Sequence, residues 1–391
     1  MEASADATRA TTAGAWKRIV PIDAPARKGP RVLIVKLSAV GDVVHAMPVL
    51  HALRAALPDA HLGWACHGGA AGLLEGHPAL DELIVTPRRG PGRFDRAGIG
   101  LLRGAPAARW DWVIDLQGLT KSGLVAWLSG ARRRVGFRGP ASRELNAIFM
   151  TDRVRPPAEA ANVISMNLAL LAPLAAEHTA LGFAAVAPPE ARLHATSDDI
   201  ASIDAWATVG GLSGERFLVI DAFAGWTTKT WNHRRWAEVM AQAEKGFLGL
   251  RSLVFHGPGE RHGAEALAAM AAERGARPLV APDTTLRQFT ALLRRHAAAF
   301  AGGDTGPMHM AAAAGVPTVA LFGPSDPARN APTFAGATFR ALHDPSLPCA
   351  GTFARKCRHH KDAGGCLAAL MPADVLSALR ELVEEGAGAA P

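Results

Sequence analysis

The sequence predicts an α/β protein built from two doubly wound parallel-sheet domains that face each other across a crevice. Three observations lead there. The chain has 391 residues, and a single hydrophobic core rarely grows past roughly 250. Short apolar runs rich in β-branched residues alternate with segments of helical apolar spacing, in two successive series, as βαβ units require. Loops carrying Gly, hydroxyl, Lys or carboxylate groups follow several of these runs, and open α/β sheets bind ligands at the carboxyl ends of their strands.

The first series opens at residues 31–37 (RVLIVKL), whose unbroken apolar content reads as a buried parallel strand. Residues 41–57 carry Val44, Met47, Leu50, Leu53 and Leu57 at helical spacing, and Pro58 closes the helix. Further strands are expected at 61–66, 82–86, 112–116 and 134–137, with a helix at 121–128. The second series predicts strands at 217–221, 252–256, 278–280, 298–301 and 318–322. Its helices are expected at 234–245, 261–274, 286–295 and 308–314. Between the series, 185–194 (AVAPPEARLH) reads as a linker. The domains are therefore taken as 31–185 and 195–371, followed by a C-terminal helix (372–385) and tail to 391. Residues 1–30, rich in Ala, Thr, Pro and charge, read as a mobile leader outside the fold. No internal sequence repeat accompanies the two series.

Composition narrows the function classes. With 49% hydrophobic and 20% charged residues, wholesale disorder is excluded. Four Cys exclude a disulfide scaffold and fit a reducing compartment. The most apolar runs, 162–176 and 308–323, each contain a Pro and fall short of the roughly 18 residues of a membrane span. The N-terminus has no apolar core of a secretory signal. The net charge of +7 is uneven: residues 86–143 hold twelve Lys or Arg against three Asp, a local excess of nine positive charges. Such a patch calls for an anionic partner, whether nucleic acid, a membrane surface or an acidic substrate.

Five loops carry candidate chemistry. In the first, Lys36 to Asp42 (KLSAVGD), a single Gly stands where a dinucleotide fold would need G-x-G-x-x-G. Asp42 in the first helical turn fits first a cap or dipole partner, and in a sharper reading a carboxylate placed to take a proton from an acceptor hydroxyl. The second, Asp115 to Ser122 (DLQGLTKS), enters a helix and fits either a satisfied turn or an anion or sugar contact. The third, Gly225 to Trp231 (GWTTKTW), sets two hydroxyls beside Lys229, a compact multi-donor cation suited to phosphate. In the fourth, Gly257-Pro258-Gly259-Glu260, Glu260 reads as a helix-start acid or as a partner of ribose hydroxyls. The fifth, Gly302 to His309 (GGDTGPMH), is the most specific: Asp-Thr-Gly opens a small-residue helix whose free amides favour phosphate, leaving Asp304 to accept sugar hydroxyls.

Cys349, Cys357 and Cys366 cluster with His359 and His360 in a basic loop, without the C-x2-C pairs of common zinc sites. A metal- or redox-sensing role for them is a minority alternative. Cys66, on an apolar strand, reads as a buried small hydrophobe.

Taken together, residues 31–48 (RVLIVKLSAVGDVVHAMP), 111–122 (DWVIDLQGLTKS), Lys229 with Trp231, and 302–309 (GGDTGPMH) resemble the bacterial lipopolysaccharide heptosyltransferases of glycosyltransferase family 9. The resemblance runs over nearly the whole chain past residue 30. Its first two segments, with 141–144 (ASRE), look most like heptosyltransferase I.

The resemblance implies a GT-B fold, with the acceptor in the N-terminal domain and ADP-heptose in the C-terminal one. It implies inverting, metal-independent transfer of L-glycero-D-manno-heptose to the Kdo of Kdo2-lipid A, with ADP-heptose as co-substrate and no cofactor. Asp42 falls on the general base, and Lys229, with Thr227 and Thr228, on the donor-phosphate site. Asp304, Thr305, Gly306 and His309 fall on the donor loop, and Glu260 near the nucleoside contact. Ser38, Gly41, Gln117, Lys121 and Arg143 are the expected acceptor contacts. The implied setting is a monomer, peripheral on the cytoplasmic face of the inner membrane, its basic stretch turned to the anionic glycolipid. The Cys-bearing loop is loosely like a segment of heptosyltransferase II-type members, so addition of the second heptose is the alternative. The patch alone would also suit a nucleic-acid-binding protein, but no standard binding module accompanies it.

Overall fold

The computed structural model describes residues 16–20, 27–87, 96–104, 109–178, 190–246, 248–356 and 365–388. Its strands form two sheets. The first holds β1 (Lys17–Ile19), β2 (Arg31–Val35), β3 (His61–His67), β4 (Glu82–Thr86), β5 (Trp112–Asp115), β6 (Arg133–Phe137) and β7 (Asp152–Val154), in the order β1-β4-β3-β2-β5-β6-β7. The second holds β8 (Phe217–Asp221), β9 (Ser252–Val254), β10 (Leu279–Val280), β11 (Ala297–Gly303), β12 (Thr318–Phe322) and β13 (Phe339–His343), in the order β10-β9-β8-β11-β12-β13. Every pairing is parallel except β1 with β4.

Both sheets are doubly wound. In the first, the order reverses between β2 and β5. In the second, it reverses between β8 and β11. Each sheet is of the predicted doubly wound class, and each reversal opens a switch point where ligands bind. The strands are continuous apolar runs because both faces are covered: Val32, Leu33, Ile34 and Val35 are all fully buried.

Seven helices matter to the site: α1 (Val40–Ala56), α2 (Thr120–Leu128), α3 (His233–Lys245), α4 (Arg261–Ala272), α5 (Leu286–His296), α6 (Gly306–Ala313) and α7 (Pro372–Gly388). Local chemistry sets several ends. Thr285 caps α5 by accepting from Gln288 N–H, and the Gln288 side chain bonds back to the cap, while Arg294, Arg295 and His296 close the helix against its dipole. Asn232 caps α3 through Arg234 N–H. No helix among the described residues is long and apolar enough to cross a membrane.

The chain divides into two compact units. One is the described chain up to Ser38 with Leu57–Arg155; the other is Ala39–Ala56 with the chain from Pro156 onward. Helix α1 thus belongs with the second sheet's unit although β2 and β3, which flank it in sequence, belong to the first. Residues 185–189 of the expected linker lie outside the described residues; 190–196 have no regular structure.

Three strands were not anticipated. The reading of residues 1–30 as a leader outside the fold is corrected for β1, which pairs with β4 in the register Lys17 to Val85. Three residues carry no periodic signal, and the strand is held by partners distant in sequence. Trp16 packs against Gly98, and Arg18 forms an ion pair with the buried Glu82. Residues 1–15 and 21–26 lie outside the described residues. β7 and β13, at sheet edges and only partly buried, are likewise too short or too exposed to announce themselves.

Glu82 is the fastening point of that corner. It is 1% exposed and meets Arg18, Arg31 at 3.3 Å and His61 at 3.0 Å. Burial alone would raise its pKa, but the His61 hydrogen bond and the Arg18 charge outweigh it and hold it below the ordinary value. Removing one member of a buried ionic cluster strands the others, at a cost of about 3 kcal/mol. Glu82→Ala is expected to lose about that much stability in urea unfolding and to expose the β1 segment to protease. Unchanged unfolding would show that the cluster contributes nothing net.

Candidate active site

The reversal between β8 and β11 gathers the most chemistry. Small residues make this possible: a Cβ on Gly302 would lie 2.9 Å from Asp221 O, and one on Gly303 would lie 3.0 Å from Lys229 O. The chain then turns through Asp304, which is 4% exposed. Its carboxylate receives Lys229 Nζ at 2.6 Å on Oδ2 and faces His309 Nε2 at 3.2 Å from Oδ1. Lys229 Nζ also donates to Asp304 O at 2.9 Å. Burial would raise the Asp304 pKa, yet the His309 hydrogen bond and the charges of His309 and Lys229 prevail and hold it far below the usual carboxylate range. Asp304 is therefore an ionised, buried acceptor that joins the β8 loop to the β11 loop.

Lys229 lies on a short turn, Thr227–Lys229, with its Nζ 4.9 Å from the Trp226 ring centre. The Arg355 guanidinium stacks on the same indole at 4.7 Å. Two cations at one ring make a corner that favours an anion. Thr228 is buried and its hydroxyl donates to Ala354 O at 2.9 Å, which anchors the turn, whereas Thr227 is exposed. The α6 N-terminus completes the corner. Thr305 is its N-cap but makes no side-chain cap bond, so the first-turn amides remain for a ligand.

Sequence reasoning missed Asp221. It closes β8, is fully buried, and accepts the Thr305 hydroxyl at 2.6 Å. Burial pushes its pKa up to about 7; the nearby Glu260 charge adds to this, while the Thr305 hydrogen bond opposes it. The only sequence signal was an acid ending an apolar run just before a polar loop. Glu260, at the head of α4, turns its Oε2 onto Gly257 N–H at 2.8 Å and so holds its own glycine turn.

Asp42 sits in the first turn of α1 and accepts Ala39 N–H at 3.0 Å. The start of α1 lies directly against the start of α6. A Cβ on Gly41 would come within 2.5 Å of His309 Cδ2, and one on Gly306 within 3.0 Å of Val40 Cβ. The His45 ring meets His309 edge-on at 4.1 Å between centres. Asp42, Gly41, Gly306, His309, Asp304 and Lys229 therefore form one assembly inside one compact unit.

The reversal between β2 and β5 gathers the rest in the other unit. Gln117 Oε1 accepts Leu37 N–H at 3.1 Å and Ser38 N–H at 3.3 Å, so it fixes the first loop's backbone. Gly118 has φ +68, and a Cβ there would lie 2.8 Å from Ala141 O, so only glycine fits. Asp115, fully buried with its pKa raised by that burial, accepts from Gln117 and Gly118 amides, Ser122 Oγ and Asn146 Nδ2. Lys121 is half-buried on α2, and Arg143 is exposed with its amide on Gly118 O at 2.9 Å. Gln117, Lys121 and Arg143 thus share this corner with Ser38.

Of the cysteines, Cys349 and Cys366 are buried with their Sγ atoms 3.5 Å apart. Cys357, His359 and His360 lie outside the described residues. Among the described residues no group of three or more His, Cys, Asp or Glu could hold a metal ion. Cys66 is fully buried, and burial pushes its thiol up to about 12.

Residues 101–361 match the family described as glycosyltransferase family 9 (heptosyltransferase). Lipopolysaccharide heptosyltransferase 1 of Pseudomonas aeruginosa is 30% identical over 341 residues, covering 84% of this chain and 88% of the relative. Lipopolysaccharide heptosyltransferase 2 of Escherichia coli is 26% identical over 76% of this chain and 84% of its own. Among solved structures, a family 9 glycosyl transferase from Veillonella parvula superposes with a TM-score of 0.73 at 24% identity, over 93% of this chain and 99% of that one. The ADP-heptose heptosyltransferase II of E. coli superposes with a TM-score of 0.68 at 23% identity, over 91% and 99%.

Gly41→Ala drives a methyl into His309, which Asp304 holds in place, so it should cost about 1–3 kcal/mol; thermal unfolding unchanged from wild type would mean the helix starts separate freely. Asp221, with its folded pKa above its unfolded one, binds a proton in the native state that the unfolded chain has released between about pH 4 and 7. Stability should therefore fall as pH rises through that window, by at most about 1.4 kcal/mol per unit. Asp221→Asn should flatten this slope in urea titrations; an unaltered slope would assign it to another group.

Proposed function

Because the chain belongs to glycosyltransferase family 9, we propose that it transfers L-glycero-D-manno-heptose from ADP-heptose to the Kdo of Kdo2-lipid A, with inversion at the anomeric carbon. The observation that carries this reading is the seating of Asp42 at the head of α1, directly against the Asp304–Gly306 loop at the head of α6. A base and a diphosphate-sugar site need that proximity for a single displacement. The 30% identity to a heptosyltransferase 1 over 84% of the chain, against 26% over 76% to a heptosyltransferase 2, favours the first heptose over the second.

In this reading, Asp42 exchanges its bond to Ala39 N–H for the acceptor hydroxyl and removes that proton as the oxygen attacks. The C–O bond to the donor phosphate breaks on the opposite face, and the diphosphate leaves. Lys229 and the amides at the start of α6 offset the charge that develops there. Asp304 accepts sugar hydroxyls while remaining ionised between Lys229 and His309, and Glu260 lies on the nucleoside side. Ser38, Gln117, Lys121 and Arg143 meet the acceptor, whose phosphates and carboxylates suit the basic stretch 86–143. The protein would work as a peripheral enzyme on the cytoplasmic face of the inner membrane.

The test is incubation with ADP-heptose and Kdo2-lipid A, with mass spectrometry for a single heptose increment. An increment only on acceptor that already carries one heptose would move the assignment to the second transfer. Asp42→Asn should lower kcat by about 10²–10⁴ with the fold intact; near wild-type turnover would remove Asp42 as the base. Lys229→Ala should cost about 10²–10³ in kcat/KM for the donor, and retention of donor affinity and rate would take the phosphate away from it.

A further inference from the structure

Six large apolar side chains stand exposed among the described residues, and three of them, Trp127 (52%), Leu145 (62%) and Ile148 (66%), belong to α2 and the short turn that crosses it. Thr120 N–H donates to Glu144 Oε2, and Leu145 N–H donates to Thr120 Oγ1, so the turn begins at the head of α2. One turn along the helix, a Cβ on Gly123 would meet Phe149 and Asn146. Trp127 follows Gly123 by four residues and so lies on the same helix face one turn further on. The three exposed side chains therefore run in a line along one surface of the first unit.

The turn is built to hold them out. Glu144 adopts φ 56, a left-handed backbone that a non-glycine residue takes only when its surroundings impose it. Two hydrogen bonds to Thr120 impose it here, and Leu145, the next residue, projects into solvent. Beneath the line the contacts are well made: Asn146 is fully buried on Asp115, and Arg134 bonds Phe149 O at 2.7 Å. The exposed apolar groups thus sit on a rigid base.

The rim is cationic. Arg132, Arg138, Arg143, Arg153 and Arg155 are all exposed around this edge of the sheet. Arg138 N–H bonds Val154 O at 2.7 Å, which brings Arg138 beside Arg155. A Trp and two branched aliphatic groups inside an arginine rim match a phosphate-bearing lipid interface, where the rings and aliphatics enter the headgroup region and the guanidinium groups meet phosphate. We infer that Trp127, Leu145 and Ile148, with Arg138 and Arg155, form the face by which the protein docks on an anionic lipid surface. This rests on the proposed lipid-linked acceptor, since Arg143, expected to contact that acceptor, adjoins the line at Leu145.

The test compares the wild-type chain with Trp127→Ser/Leu145→Ser/Ile148→Ser and with Arg138→Glu/Arg155→Glu. Sedimentation with vesicles of phosphatidylcholine plus phosphatidylglycerol, and with phosphatidylcholine alone, reads docking. Heptose transfer to a deacylated, water-soluble acceptor reads chemistry. The apolar variant should lose vesicle partition by about tenfold or more, and the charge variant should lose the preference for anionic vesicles. Both should keep wild-type thermal unfolding, and the apolar variant should also keep wild-type soluble-acceptor turnover. Wild-type partition in the apolar variant overturns the inference. So does a wild-type dimer that the apolar variant dissociates without altered vesicle binding, which would give the face to a second copy. Failure of transfer to every acceptor by the wild-type chain overturns the proposed reaction instead, while the vesicle arm still reads the docking face.

Discussion

The buried Asp304 carboxylate is the constraint on which the second unit's site depends. A charge removed from water must be matched closely, and here Lys229 from the β8 loop and His309 from α6 match it. Three separate pieces of chain are thereby fixed to one group: the turn that carries Lys229, the strand end at Gly303, and the helix that presents its amides. His309 then serves as the floor for Gly41, so the position of Asp42 is set, through one side chain, by the same carboxylate. The arrangement puts the cationic corner at Trp226 and the half-buried head of α6 side by side, with Lys229 paired to Asp304.

Most of the scaffold was legible because parallel strands covered on both faces must be apolar throughout, and runs such as FLVID and TVALF admit few other readings. The edges were not legible. β1, β7 and β13 are short or half-exposed, so they carry little apolar periodicity, and β1 is moreover held by a neighbour far along the chain. The loops of the site stood out through glycine, hydroxyl and acid residues placed just after strands. What the sequence could not convey was how those groups are already engaged: Gln117 with the backbone at Leu37 and Ser38, Thr228 with Ala354, Lys229 with Asp304. Asp221 escaped notice because its role depends on Thr305, which lies 84 positions away.

Electrostatics differ between the two units in a way that fits two kinds of ligand. In the second, the cations of the site are few and each is positioned by a named partner, as suits recognition of a compact diphosphate. In the first, arginines are many and exposed around a short apolar line, as suits an extended anionic surface met over several points. The loop of Gly118 and the left-handed Glu144 adjoin both the Gln117 corner and that line, so the strained residue of this unit stands beside the proposed acceptor site.

Helix α1 has a consequence for how the molecule can be taken apart. It is buried nearly all round, and it groups with the unit that begins at Pro156 although it lies between β2 and β3 in the chain. A fragment cut anywhere near the expected linker would carry away an apolar helix whose packing partners include α6, synthesised more than two hundred residues later. During translation that helix must wait, its surface uncovered, until the distant partner emerges. The architectural halves of this protein are therefore not separable folding pieces, and rearranging the chain order to restore continuity, with α1 joined to the later segment, is the dissection its packing permits.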